Sequence, residues 1–286
     1  MVCAHVTVCR KNQLNAVNAG GRKFSQFLAR ASARWSKKVQ SAFLTGVIGL
    51  VVVGCASAKD VSGAQPGILY ELAAQRDQPV IILSHDWFGD SEYYRSFGNE
   101  LAKEGYSVIA SDLYDGRSGG KTHAEAWALL KELTEEHAAS VLNQNIERAA
   151  QLSDRVIVIG FSAGAPHALQ AAIGNSDDVD GVILFYGDIT KDVEQLARLK
   201  GSVLAIYGSK DPLYGDVTAS DDAALFMKAA DEASVNAEVH IFGGQDHAFA
   251  QPLYNAGKTY DPAAAAAAMQ LTQDFLKRIS KKAESR

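Results

Sequence analysis

Six short apolar runs punctuate the chain from about residue 66 onward: PVIILSH (79–85), YSVIASDLY (106–114), RVIVIGF (155–161), GVILFYG (181–187), SVLAIYG (202–208) and AEVHIFG (237–243). Each reads as a buried strand, and several are rich in Val and Ile and end in Gly, Ser or Asp. Between them lie helical patterns. SEYYRSFGNELAKEG ends on a Gly stop, and HAEAWALLKELTEEHAASVLNQNIERAAQL (123–152) reads as one long amphipathic helix. PAAAAAAMQLTQDFLKRISKK (262–282) starts on Pro and ends in Lys and Arg. Strands alternating with helices at this rhythm predict an α/β domain, a mostly parallel sheet with helices on both faces. There is no internal repeat. A body of roughly 220 residues can bury about 70% of its unfolded surface as one domain.

Charge divides the chain. Eight cations precede the first acid, Asp60; beyond residue 55 there are 20 cations against 33 acids, a net charge of −13. A body that acidic repels phosphate backbones, which sets nucleic-acid binding aside. The basic front end leads through Lys37 and Lys38 into AFLTGVIGLVVVG, then Cys55 and ASAK. A basic flank, a short apolar stretch and small residues make an export signal, and the run is too short for a comfortable membrane span. Residues 1–55 are therefore expected to be a leader, 56–65 a linker and 66–286 the functional domain. Residues 1–36 exceed what such a leader needs, so a translation start further downstream is expected. VVGC resembles the bacterial lipoprotein box. That resemblance implies lipidation of Cys55 and, with Ala56 following it, sorting to the outer membrane. The alternative is ordinary cleavage after Ala58 and a soluble secreted protein. Cys3 and Cys9 lie in the leader and Cys55 at the cleavage point, which leaves no cysteine pair in the mature body, and no metal-ligand spacing of Cys or His occurs.

The candidate chemistry begins at Gly160-Phe161-Ser162-Ala163-Gly164, a G-x-S-x-G pattern. The pattern alone is weak. Its setting strengthens it, because a strand leads in and a helix leads out, as a nucleophile elbow requires. The competing reading is a tight strand-to-helix turn with a capping Ser. A neutral Ser needs a base, and the base an orienting carboxylate. AIYGSKDPL places Asp211 just past one strand, and HIFGGQDHAFA places His247 just past the next. Asp246 is a rival acid, but as the neighbour of His247 it would struggle to aim at that ring.

HDWFGDSEYYRSFGNELAKEGYSVIASDLYDG, GFSAGA, YGSKDPL and DHAFAQP followed by YDPAAAAAAMQLTQDFL together resemble the dienelactone hydrolase family of α/β-hydrolases, over roughly residues 66–280. The resemblance implies an α/β-hydrolase fold with Ser162 as nucleophile, Asp211 as acid and His247 as base. It also implies an oxyanion hole from the N–H groups of Trp87 and Ala163. Two departures matter: the namesake enzymes carry Cys where Ser162 stands and Glu where Asp86 stands. Both move the expectation towards a general serine hydrolase of carboxylic esters or lactones, with no cofactor and a small-molecule partner. Other readings are a dienelactone hydrolase proper, a peptidase, or a non-catalytic envelope protein on the same scaffold. Arg117, in the glycine-rich segment DGRSGGKTH (115–123), is a candidate for a substrate carboxylate by location alone. His85 either shapes the hole or packs, and the pair Tyr93-Tyr94 is expected to cover the sheet.

Overall fold

The computed structural model describes residues 6–9, 67–72, 78–89, 91–117, 122–212 and 218–282. Of the expected leader only Val6–Cys9 falls within them. Cys55 and the linker 56–65 lie outside.

The six expected strands are present, as β3 (Val80–Ser84), β4 (Ser107–Ser111), β5 (Val156–Phe161), β6 (Val179–Phe185), β7 (Ser202–Gly208) and β8 (Ala237–Phe242). They pair in parallel in the order β4-β3-β5-β6-β7-β8. Two edge strands complete the sheet of the described residues. These are β1 (Val6–Cys9), antiparallel to β8, and β2 (Ile68–Leu72), antiparallel to β4. Neither was expected, and β1 falls inside the segment read as a leader.

Both faces of the parallel strands are covered, which is why their sequences run apolar without alternation. Val156 and Val158 of β5 join a core with Leu142, Ala168 and Phe226. Ile157, Ile159 and Phe161 of the same strand join another with Phe97, Leu101 and Phe275. The first core lies under α3 (Glu135–Leu152), α4 (Gly164–Gly174) and α6 (Ala219–Glu232), the second under α1 (Glu92–Lys103) and α7 (Pro262–Lys282). The four-residue α5 (Val193–Leu196) adds Leu196 to the first core. No described helix is long and apolar enough to cross a membrane.

The long helix expected over 123–152 is instead two, α2 (His123–Glu132) and α3. Leu133 turns to extended backbone, and the Thr134 side chain accepts from the His137 N–H to start the second helix. Thr before two acids is a cap signal; without Gly or Pro at the junction, amphipathic periodicity had masked it.

Strand order sets the position of the site. The chain leaves β3 for β4 on one side and returns to β5 on the other, so β3 and β5 flank a topological switch point, with Ser84 opposite Gly160. The loops beyond their carboxyl ends diverge and leave a crevice, where open parallel sheets bind ligands.

Candidate active site

Ser162 follows β5 directly, with φ of 50°, a left-handed conformation that costs a non-glycine residue roughly 1–2 kcal/mol. The turn is held on both sides: the Ser162 N–H donates to the Phe185 carbonyl at 2.9 Å, and the Ser162 carbonyl accepts from Ala165 at 3.0 Å. Its glycines are needed for close approach. A Cβ on Gly160 would stand 2.6 Å from the Ala165 Cα, and one on Gly164 would stand 2.2 Å from the His85 carbonyl oxygen. The second contact presses the start of α4 against the loop after β3.

The capping-Ser reading fails here. The N-cap of α4 is Ala163, which makes no side-chain cap bond. The Ser162 hydroxyl instead donates to His247 Nε2 at 2.9 Å. On the other side of the ring, His247 Nδ1 donates to Asp211 Oδ2 at 2.7 Å. Ser162, Asp211 and His247 are each at most 8% exposed. A short, shielded relay of this kind can take a proton from the hydroxyl and hold the resulting imidazolium against a carboxylate.

Asp211 and His247 meet because β7 and β8 are parallel neighbours whose following loops are tied together. The Ser209 N–H donates to the Phe242 carbonyl at 3.0 Å and the Lys210 N–H to the Gln245 carbonyl at 2.8 Å. Asp246 is not the partner of His247. The Tyr186 ring stands edge-on to the imidazole at 5.2 Å, with Phe249 at 5.9 Å behind it, and fixes the ring plane.

Trp87 lies in the loop after β3 and Ala163 directly follows Ser162, on the two sides of the switch point. Among the described residues neither N–H is engaged in a hydrogen bond. His85 is not part of that opening. Its Nδ1 donates to the Asp86 carbonyl at 2.6 Å and its Nε2 accepts from the Leu113 N–H at 3.2 Å, so it ties two loops together. Arg117 is engaged elsewhere, donating to Glu132 and to the Tyr114 carbonyl. Tyr94 does cover the sheet, at 1% exposure.

A feature that sequence reasoning under-weighted is Asp86. It is 2% exposed, accepts from the Phe88 N–H at 2.9 Å, and its own N–H donates to the Tyr94 hydroxyl at 3.1 Å. Burial pushes its carboxyl up to about 6, against the pull of the Phe88, Tyr94 and Gln251 hydrogen bonds and of His247. Burial likewise raises the phenols of Tyr94 and Tyr186 well above their ordinary range, so both stay neutral.

A cavity of about 350 Å³ opens between α1 and α7, lined by Tyr93, Phe97, Phe185, Leu253 and Met269 among others. Ser162, Asp211 and His247 are not among its walls. It flanks the sheet beside α1 and α7.

Residues 66–280 match the model of the dienelactone hydrolase family. A curated relative from Saccharolobus solfataricus, named "Putative carboxymethylenebutenolidase", is 25% identical over 243 residues, covering 71% of this chain and 90% of that protein. Among solved structures, a "Putative Dienelactone Hydrolase" from Klebsiella pneumoniae superposes with a TM-score of 0.65 at 21% identity, covering 77% of this chain and 98% of its own. A thermophilic esterase from Thermogutta terrifontis, solved with propionate bound, gives a TM-score of 0.52 at 16% identity, covering 76% and 95%. These structural matches show an α/β-hydrolase-like fold.

Proposed function

The chain belongs to the dienelactone hydrolase family, and on that premise we propose that it is a serine hydrolase, cleaving carboxylic esters or lactones through an acyl-enzyme formed on Ser162. The observation that carries this reading is the relay itself. Ser162 Oγ lies 2.9 Å from one imidazole nitrogen, while the other donates to Asp211 at 2.7 Å.

In the proposed reaction His247 takes the Ser162 proton as Oγ attacks the acyl carbon. The tetrahedral oxyanion lies against the N–H groups of Trp87 and Ala163, and the imidazolium, held by Asp211, passes its proton to the leaving alcohol or ring oxygen. Water then enters, gives a proton to His247 and releases the acid by the reverse route. Support for the oxyanion roles is that both N–H groups are uncommitted among the described residues and flank the switch point. A Ser in place of the namesake's Cys needs no restraint on a resting thiolate, which fits a shorter Asp86 where those enzymes carry Glu.

The test is covalent labelling with a fluorophosphonate probe. Labelling of the wild type and not of Ser162→Ala supports the proposal; equal labelling of both refutes it.

We further propose export, with a lipid anchor on Cys55 holding the domain at the outer membrane; maturation at Cys55 would remove β1 and leave β8 as the sheet edge. Its support is the sequence pattern of basic flank, short apolar run and Gly54-Cys55. Cys55→Ala is expected to release the protein from the membrane fraction, and unchanged fractionation would remove this part of the proposal.

A further inference from the structure

We infer that the solvent side of the relay is an aromatic wall that selects esters whose alcohol part carries a planar aromatic ring; this rests on the serine-hydrolase reading above. The wall starts at His247. The Tyr254 ring stands edge-on to the imidazole at 5.5 Å. His123 stacks on Tyr254 at 6.0 Å and 28°, and Phe88 meets both rings, at 5.5 Å from His123 and 6.2 Å from Tyr254. Trp87 continues the series, 5.2 Å from His123, and Trp127 ends it, 6.3 Å from Trp87. Three separate segments supply these rings: the loop after β3, α2, and the 3-10 turn Tyr254–Gly257.

Core packing accounts for Tyr254 alone among the wall rings, which rests on the buried cluster of that face. The aromatic cluster beneath the site, Phe161 and Phe185 with Tyr94 and Phe97, is buried and needs no other reason. The wall rings stay in solvent: Trp127 is 51% exposed, His123 is exposed, and Trp87, Phe88 and Tyr254 are half-buried. A contiguous exposed apolar surface against a reactive group marks a binding site.

Two features narrow the occupant. His247 is the group that hands a proton to the leaving oxygen, so what flanks its ring flanks the alcohol part of the ester. Neighbouring centroids lie within 6.3 Å, so the rings pack against one another and leave no box to enclose a quaternary ammonium. A flat ring laid along the wall gains offset and edge-on contacts with several of them at once.

The experiment measures kcat/KM of the full chain and of Trp127→Ala and Tyr254→Ala on benzyl acetate, cyclohexylmethyl acetate, ethyl acetate, ethyl benzoate and acetylcholine. Wild type is expected to favour benzyl acetate over both ethyl and cyclohexylmethyl acetate. Each variant is expected to lower the benzyl-to-ethyl ratio roughly three- to tenfold, mainly through KM. Trp127 is exposed enough that its variant keeps the test alive if Tyr254→Ala folds poorly. Ratios unchanged in the folded variants overturn the wall, as does a preference for ethyl benzoate or acetylcholine. If fluorophosphonate still labels Ser162 in that case, only the wall falls. If wild type neither labels nor turns over any ester, the hydrolase reading falls and takes the wall with it.

Discussion

Replacing Asp86 by Asn isolates the free energy stored in one buried carboxyl. Its folded value of about 6 stands roughly two pH units above the ordinary 3.8. The group is 2% exposed, so the shift needs no discount for solvent screening. The sign follows from which state binds more protons. Below about pH 3.8 the carboxyl is protonated in both states and contributes nothing pH-dependent. Between 3.8 and 6 the unfolded chain ionises while the folded one holds its proton, so stability falls as pH rises, by up to 1.4 kcal/mol per unit. Above 6 the full penalty is present, about 3 kcal/mol. Asn keeps an oxygen for the Phe88 N–H and does not ionise. The stability of Asp86→Asn relative to wild type is therefore expected to climb by about 3 kcal/mol between pH 3.5 and 7.5, with most of the rise below pH 6. Urea unfolding of both proteins across that range measures it, and taking the difference cancels the other titrating groups. A constant offset, or one that shrinks as pH rises, would refute the claim that Asp86 is held protonated by burial.

Three further outcomes are expected. Asp211→Asn keeps the side chain's shape but loses the charge that steadies His247. Turnover of an ester substrate should fall by about four orders of magnitude, with the melting temperature moving by only a few degrees. Gly164→Ala drives a methyl to 2.2 Å from the His85 carbonyl oxygen, a backbone atom that cannot swing aside. We expect a loss of roughly 1–3 kcal/mol in urea unfolding together with loss of activity, because relief of the clash moves the elbow from the loop after β3. Thr134→Ala removes the cap of α3 and is expected to cost about 1 kcal/mol with kcat/KM unchanged, since α3 packs on the sheet face and supplies no residue to the relay.

The sequence by itself determined the six parallel strands. A strand covered on both faces must be apolar throughout, so its burial is written in the run itself, as in VIVIGF. The elbow was legible from its setting, a strand leading in and a helix leading out, whereas the need for Gly164 comes from the loop after β3, whose His85 carbonyl a Cβ there would meet. Elements whose signals are weaker than tertiary contact were missed. β2 is a five-residue antiparallel edge strand with Tyr70 and Glu71 in its middle. The break between α2 and α3 rests on a single capping Thr. The sequence favoured Asp211 over Asp246 as the partner of His247, and the tertiary structure supplies the reason. Asp246 is its chain neighbour, but sheet order sets the loop of Asp211 beside it, and the cross-links between the two loops fix the distance. It also decided that Asp86 is sealed from water, and that rings from three distant segments line one side of the relay. Local periodicity records whether a residue is buried; which loops end up adjacent depends on strand order, and no short stretch of the chain carries that information.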